Sequence, residues 1–123
     1  MILNLDFSGD IPIYLQIRNQ IVIGIAEGKL LPGDRLPTIR ALAEESGINM
    51  MTVSKAYQML KSEGYILADR RSGAVIAQGA GPSAVSKETM DALKLALSEL
   101  RLSGMGTDEA LELCRTLYEE GKS

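Results

Sequence analysis

Residues 36–73 read LPTIRALAEESGINMMTVSKAYQMLKSEGYILADRRSG, and the punctuation of this stretch decides the fold. Residues 38–46 form a short helix with Thr38 as its N-cap, because a threonine hydroxyl can accept from a free amide one turn on. In this helix Leu42 and Ala43 face inward. Gly47 breaks it. A second helix begins at Asn49, whose side chain caps it by accepting from the Thr52 amide, and Gly64 stops it. Within it Val53, Ala56, Tyr57 and Leu60 fall at i, i+3, i+4 and i+7, one apolar stripe. Met50, Met51, Ser54, Lys55, Gln58 and Lys61 lie off that stripe. Residues 66–68 and 74–76 read as two small strands joined by Asp69-Arg70-Arg71-Ser72-Gly73. Helix, tight glycine turn, helix and basic hairpin make the layout of a winged helix-turn-helix, whose second helix enters a DNA major groove.

Upstream, residues 1–11 are a short apolar lead-in, and Pro12 suits the first turn of a helix that Gly28 ends. Tyr14, Ile17, Ile21 and Ile25 keep helical spacing, with Gln16, Asn19, Gln20 and Glu27 mostly on the other side. So many β-branched residues imply a largely buried helix. Leu31-Pro32-Gly33-Asp34 is a turn, and Arg35-Leu36 is extended because the residue before Pro37 is pushed out of the helical region. Downstream, the Gly/Pro cluster at 79–83 is a linker. Ser86 opens a helix to about Leu102 with Met90, Leu93, Leu97 and Leu100 on one side. Thr107 caps a last helix carrying Ala110, Leu111, Cys114, Leu117 and Tyr118. Two such helices joined by SGMG cannot bury both apolar sides alone, so a second copy of the chain completes the core. The expected fold is mainly α with a small β wing: a winged helix-turn-helix over residues 1–78, a linker over 79–83, and a two-helix dimerisation tail over 84–123.

Composition narrows the function. The 123 residues are 46% hydrophobic, with one cysteine and no histidine. That leaves no intrachain disulfide, no commonplace zinc ligand set and no nucleophile–histidine pair, so enzyme, metal and cofactor readings all lack their chemistry. Cys114 is expected to be a small core residue. No apolar run approaches the roughly 20 residues a membrane helix needs, and no signal pattern opens the chain, so the expected compartment is the cytoplasm. The net charge is −3 overall, yet residues 29–78 hold seven Lys/Arg against five acids, a net of +2. Phosphate contact depends on the local face rather than the total.

On that face the amides at 50–52 and the positive end of the helix dipole favour a phosphate. Arg70 and Arg71 at a hairpin tip suit a wing that reaches the DNA backbone or minor groove. Arg40 can anchor a phosphate or pair with Glu44 at i+4. Met50 and Met51 are apolar where polar readers are expected. Either one packs into the core and the other is a surface residue, or they meet thymine methyl groups. A winged helix can also serve as a protein-interaction module, the alternative to DNA binding.

The run PIYLQIRNQIVIGIAEGKLLPGDRLPTIRALAEESGINMMTVSKAYQMLKSEGYI resembles the N-terminal DNA-binding domain of GntR-family bacterial transcriptional regulators, over residues 11–78. PIYLQI and the short tail further resemble the YtrA-type subfamily, in which two C-terminal helices serve dimerisation. The resemblance implies DNA contacts at Arg40 in the PTIR run with Thr38 ahead of it, at Asn49, Met50, Met51, Thr52, Ser54 and Lys55, and at Gly73 of the wing with Arg70, Arg71 and Ser72. Arg35 sits in the family's PGDRLP segment. Many members carry Arg where this chain has Met50, so an arginine-to-guanine contact is missing there. The implied activity is a homodimeric transcriptional regulator, a repressor, on a double-stranded inverted-repeat operator. No small-molecule effector is implied, because residues 84–123 are too short to enclose a pocket of the usual ~300–1,000 Å³.

Overall fold

The computed structural model describes residues 3–69, 73–79, 81–82 and 84–120. Its elements run α1 (Ile13–Ala26), β1 (Arg35–Leu36), α2 (Ile39–Ser46), α3 (Met50–Ser62), β2 (Ile66–Asp69), β3 (Gly73–Ile76), α4 (Lys87–Leu102) and α5 (Thr107–Glu119). They fall into two compact units, Met1–Gly81 and Pro82–Ser123. The wing is a three-stranded antiparallel sheet in the order β1-β3-β2. Ile66 stands opposite Ile76 and Ala68 opposite Ala74, while Leu36 pairs with Ala74 from the other side. The extended Arg35-Leu36 pair is therefore a strand in its own right.

Turn chemistry sets the helix-turn-helix. Thr38 accepts from the Ala41 amide at 3.0 Å and starts α2. Gly47 closes it in the left-handed region at φ 68°, a backbone conformation that is strained for residues with a Cβ, and the Ile48 amide reaches back to the Ala43 carbonyl. Asn49 caps α3, but its carboxamide accepts from the Met51 amide at 2.6 Å rather than from Thr52. The Thr52 amide already donates to the Asn49 backbone carbonyl at 3.1 Å, so the side chain serves the Met51 amide, an orphan of the first turn. The core of this unit is Ile17 and Ile21 from α1, Leu42 from α2, Val53, Ala56 and Leu60 from α3, and Leu36, Ile66 and Ile76 from the sheet. The stripe on α3 is thus buried as a block, with Tyr57 beside it.

α1 is less enclosed than its composition suggests. Only Ile17 and Ile21 are fully buried, Tyr14 and Ile25 pack at the margin, and Ile23 is exposed. The helix turns one side to α3 and leaves the other to solvent and to residues 3–11. Gln20 and Asn4 exchange two hydrogen bonds: the Asn4 amide donates to Oε1 at 2.9 Å, and Nε2 donates to the Asn4 carbonyl at 2.6 Å. Gln16 does the same with Asp6, at 2.7 and 2.8 Å. Four residues along a helix rise about 6 Å and two along an extended chain about 6.6 Å, so side chains one turn apart meet alternate backbone units. Leu3 and Leu5 alternate with Asn4 and Asp6 and pack on the core. We expect Gln16→Ala with Gln20→Ala to raise amide exchange at Asn4 and Asp6 at least tenfold. The cost to global stability should be about 1–2 kcal/mol, since net hydrogen bonds at exposed sites are worth roughly 0.5 kcal/mol apiece. Unchanged exchange would mean that Leu3 and Leu5 alone hold the segment.

Two further contacts fix the end of α3. Arg18 donates to both oxygens of Glu63, at 3.0 and 2.9 Å, with its guanidinium 5.6 Å from the centre of the Tyr65 ring. Gly81 donates to the Gly64 carbonyl at φ 105°, and a Cβ there would lie 2.8 Å from the Tyr65 ring.

In the second unit, Ser86 caps α4 by accepting from Thr89 at 3.1 Å. The cap of α5 is Gly106, not Thr107, which is already the first helical residue and makes no side-chain cap bond. Glycine tolerates the cap conformation, and Asp108 and Glu109 complement the dipole in the first turn. No residue of either helix is fully buried. Cys114, expected in a core, is a half-buried free thiol.

Candidate nucleic-acid interface

With its stripe committed to the core, α3 has one face left, and the residues on it take defined positions. Met50 is 47% and Met51 79% exposed, so neither side chain is taken into the core. Of the two sequence readings of this pair, packing of one Met inward is excluded by the structure. An apolar pair stands in solvent at the helix start. Asn49 uses its carbonyl oxygen on the cap, which leaves its NH₂ group as the outward donor. Thr52 and Ser54 are half-buried.

Lys55 is exposed, with its ammonium 4.0 Å from the centre of the Tyr14 ring. An exposed cation over an aromatic face gains about 0.5–1 kcal/mol, too little to hold it against a phosphate but enough to bias its position. Nothing in the spacing of α1 announced Tyr14 as a partner for Lys55.

Arg40 is exposed on the first turn of α2 and makes no ion pair or side-chain hydrogen bond among the described residues; the i+4 pair with Glu44 is not formed. Its placement depends on Tyr57, which sequence reasoning assigned only to the core. The Tyr57 hydroxyl donates to the Pro37 carbonyl at 2.7 Å and ties α3 to the segment that launches α2. Burial pushes the phenol well above its ordinary range, so it stays a neutral donor at any physiological pH. Thr38, Arg40, Ser54 and Gly73 border one cavity between α2, α3 and the wing, together with Gln58 and Lys61. Those last two were legible as off-stripe residues but not as members of this face. Arg35 is exposed on β1. Gly73 begins β3 at φ 89°. Arg70, Arg71 and Ser72 lie outside the described residues.

Among the described residues no group of His, Cys, Asp and Glu could hold a metal, and no helix is long and apolar enough to cross a membrane.

The family described as bacterial regulatory proteins, gntR family, matches residues 13–76. The chain is 32% identical over 117 residues to YhcF, an uncharacterized HTH-type transcriptional regulator of Bacillus subtilis (strain 168), spanning 94% of this chain and 97% of that one. It is 32% identical over 123 residues to the HTH-type transcriptional repressor YtrA of the same organism, spanning 98% and 95%. Among solved structures it is similar to a transcriptional antiterminator from Listeria monocytogenes EGD-e, with a TM-score of 0.81, 27% identity and coverage of 100% and 94%. It is also similar to the AraR DNA-binding domain in complex with operator ORE1, with a TM-score of 0.52 and 28% identity, over 63% of this chain and 94% of that one.

Proposed function

The chain belongs to the gntR family of bacterial regulatory proteins, DNA-binding transcriptional regulators rather than enzymes, and from that premise we propose that it represses transcription as a homodimer on an inverted-repeat operator. The observation that carries this reading is the division of α3. Its buried stripe holds the fold while Met50, Met51 and Lys55 stand exposed beside half-buried Ser54 and an Arg40 that has no ion pair among the described residues. AraR, whose DNA-binding domain is similar over 63% of this chain, was solved on an operator, which supports the same use of this face. The similar YtrA is a repressor, which supports that sign of regulation. The regulator acts where the operator lies, in the cytoplasm. We assign residues 1–78 to DNA binding and 84–123 to dimerisation through Met90, Leu93, Leu97, Leu100, Leu111, Cys114, Leu117 and Tyr118. Several of these are large apolar side chains in solvent, and soluble monomers rarely leave so many together.

A two-fold dimer presents two copies of α3 related by its axis, so half-sites are inverted and their centres lie about 34–36 Å apart if successive major grooves are used. A thioether meets a thymine methyl and cannot replace a guanine contact, so A·T-rich half-sites are expected opposite Met50 and Met51. Two copies of Arg40, Lys55, Arg70 and Arg71 neutralise up to about eight phosphates, each adding roughly −0.9 to the log–log salt slope. Selection from random DNA, followed by anisotropy titration at several salt concentrations, tests all three points. Direct repeats would sink the two-fold reading, G-rich half-sites the methionine reading, and a flat salt response the phosphate contacts.

A further inference from the structure

The cavity between α2, α3 and the wing has a volume of about 440 Å³, within the range of small-molecule sites. Its floor is apolar: Ile39 on α2, Tyr57 on α3, and Ile66 and Ala74 on neighbouring strands. Its rim is polar and of one sign. Arg40 and Lys61 line it, and no acidic side chain does among the described residues. Ser54 and Gln58 line it too, on the same side of α3 as Lys61 at i, i+4 and i+7, and neither makes a side-chain hydrogen bond among the described residues. Tyr57 already directs its hydroxyl at Pro37, so it offers the cavity its ring rather than a polar group.

An apolar floor beneath cations that have no ion pair among the described residues is a poor seat for a bare phosphate, which would lose water without gaining partners below it. It suits a molecule with one anionic end and an apolar body. We propose that this cavity binds a small aromatic or aliphatic carboxylate, with the carboxylate at Arg40 and Lys61 and the body on Ile39, Tyr57, Ile66 and Ala74. The site opens on the face assigned above to the operator, and its consequence for regulation rests on that assignment. A bound carboxylate occupies Arg40 and covers Ser54, so the ligand and the operator exclude each other. The signal is then read within the DNA-binding unit itself.

The test uses 2-naphthoate as the anionic probe and 2-naphthamide as its neutral counterpart, on the full chain, by two-dimensional NMR without DNA. Saturable shifts at Ile39, Ala68 and Ala74 are expected with 2-naphthoate, and binding about tenfold weaker with the amide, because one charge-assisted interaction is lost. Lys61→Gln should weaken 2-naphthoate by a similar factor. Ala68→Leu, at an exposed position on the cavity wall, should abolish binding without unfolding the wing. In a separate titration at constant ionic strength, 2-naphthoate should displace operator DNA from the native chain and not from Ala68→Leu. Shifts confined to α4 and α5, no saturation at millimolar probe, equal binding of the amide, or indifference to Ala68→Leu would each overturn the site. Operator binding untouched by a saturating probe would overturn the exclusion. Failure to bind any selected DNA would instead overturn the operator reading, and the NMR result would stand apart from it.

Discussion

With Leu97→Asp and Leu117→Asp introduced together, the chain is expected to sediment as a monomer and to lose operator affinity by roughly 10²–10⁴-fold. Leu97 is 40% and Leu117 59% exposed, so neither substitution removes support from its own helix. Each instead places a charge on an apolar side that is left partly exposed among the described residues. Burying a leucine against a partner is worth about 1.5–3 kcal/mol, and burying an unpaired carboxylate costs more than that. The loss of affinity follows from geometry alone. In the proposed dimer two copies of α3 would reach the second half-site at a high effective concentration, and a monomer would not. Amide spectra of the winged-helix unit should stay unchanged. A dimer that survives both changes would mean that the tail is not the interface.

Leu60→Ala should lower stability by about 2–5 kcal/mol. Leu60 is fully buried, and its loss leaves a hole in the core cluster to which α1, α2, α3 and the sheet contribute. For a unit of this size that corresponds to a fall in melting temperature of at least roughly 10 °C. Operator binding should fail in step with folding, and recover at low temperature wherever circular dichroism reports a native helix content. Loss of binding in a fully folded Leu60→Ala chain would show that Leu60 positions the recognition face and does more than support it.

Much of this architecture was legible because it is written locally. Asn49, Gly64 and a four-residue apolar stripe bound α3 without reference to anything distant, and Thr38 and Gly47 do the same for α2. What escaped was non-local. Arg35-Leu36 reads as extended, yet its membership of the sheet depends on Ala74 and Val75, some forty residues later. Gln16 and Gln20 look like the wet side of a helix, because their partners are backbone atoms of residues 4 and 6, which leave no mark in side-chain pattern. The same holds for Tyr57 and the Pro37 carbonyl. At the α5 start, local preference pointed to Thr107, while the chain places Gly106 in the cap position. The exposure of both Met50 and Met51 could not be decided from spacing, since the stripe leaves room for either to lean inward.

The division of α3 also bears on how readily such a regulator can be retargeted. Val53, Ala56, Tyr57 and Leu60 form the buried side of the helix, so the exposed positions 50, 51 and 55 are nearly free of that duty. Substitutions there move through sequence space at almost constant stability, typically within about ±0.5 kcal/mol at surface sites. A library randomised at those three positions should therefore consist largely of folded proteins that differ in the DNA they prefer, and lineages under selection can wander among operators without first acquiring a stabilising change elsewhere.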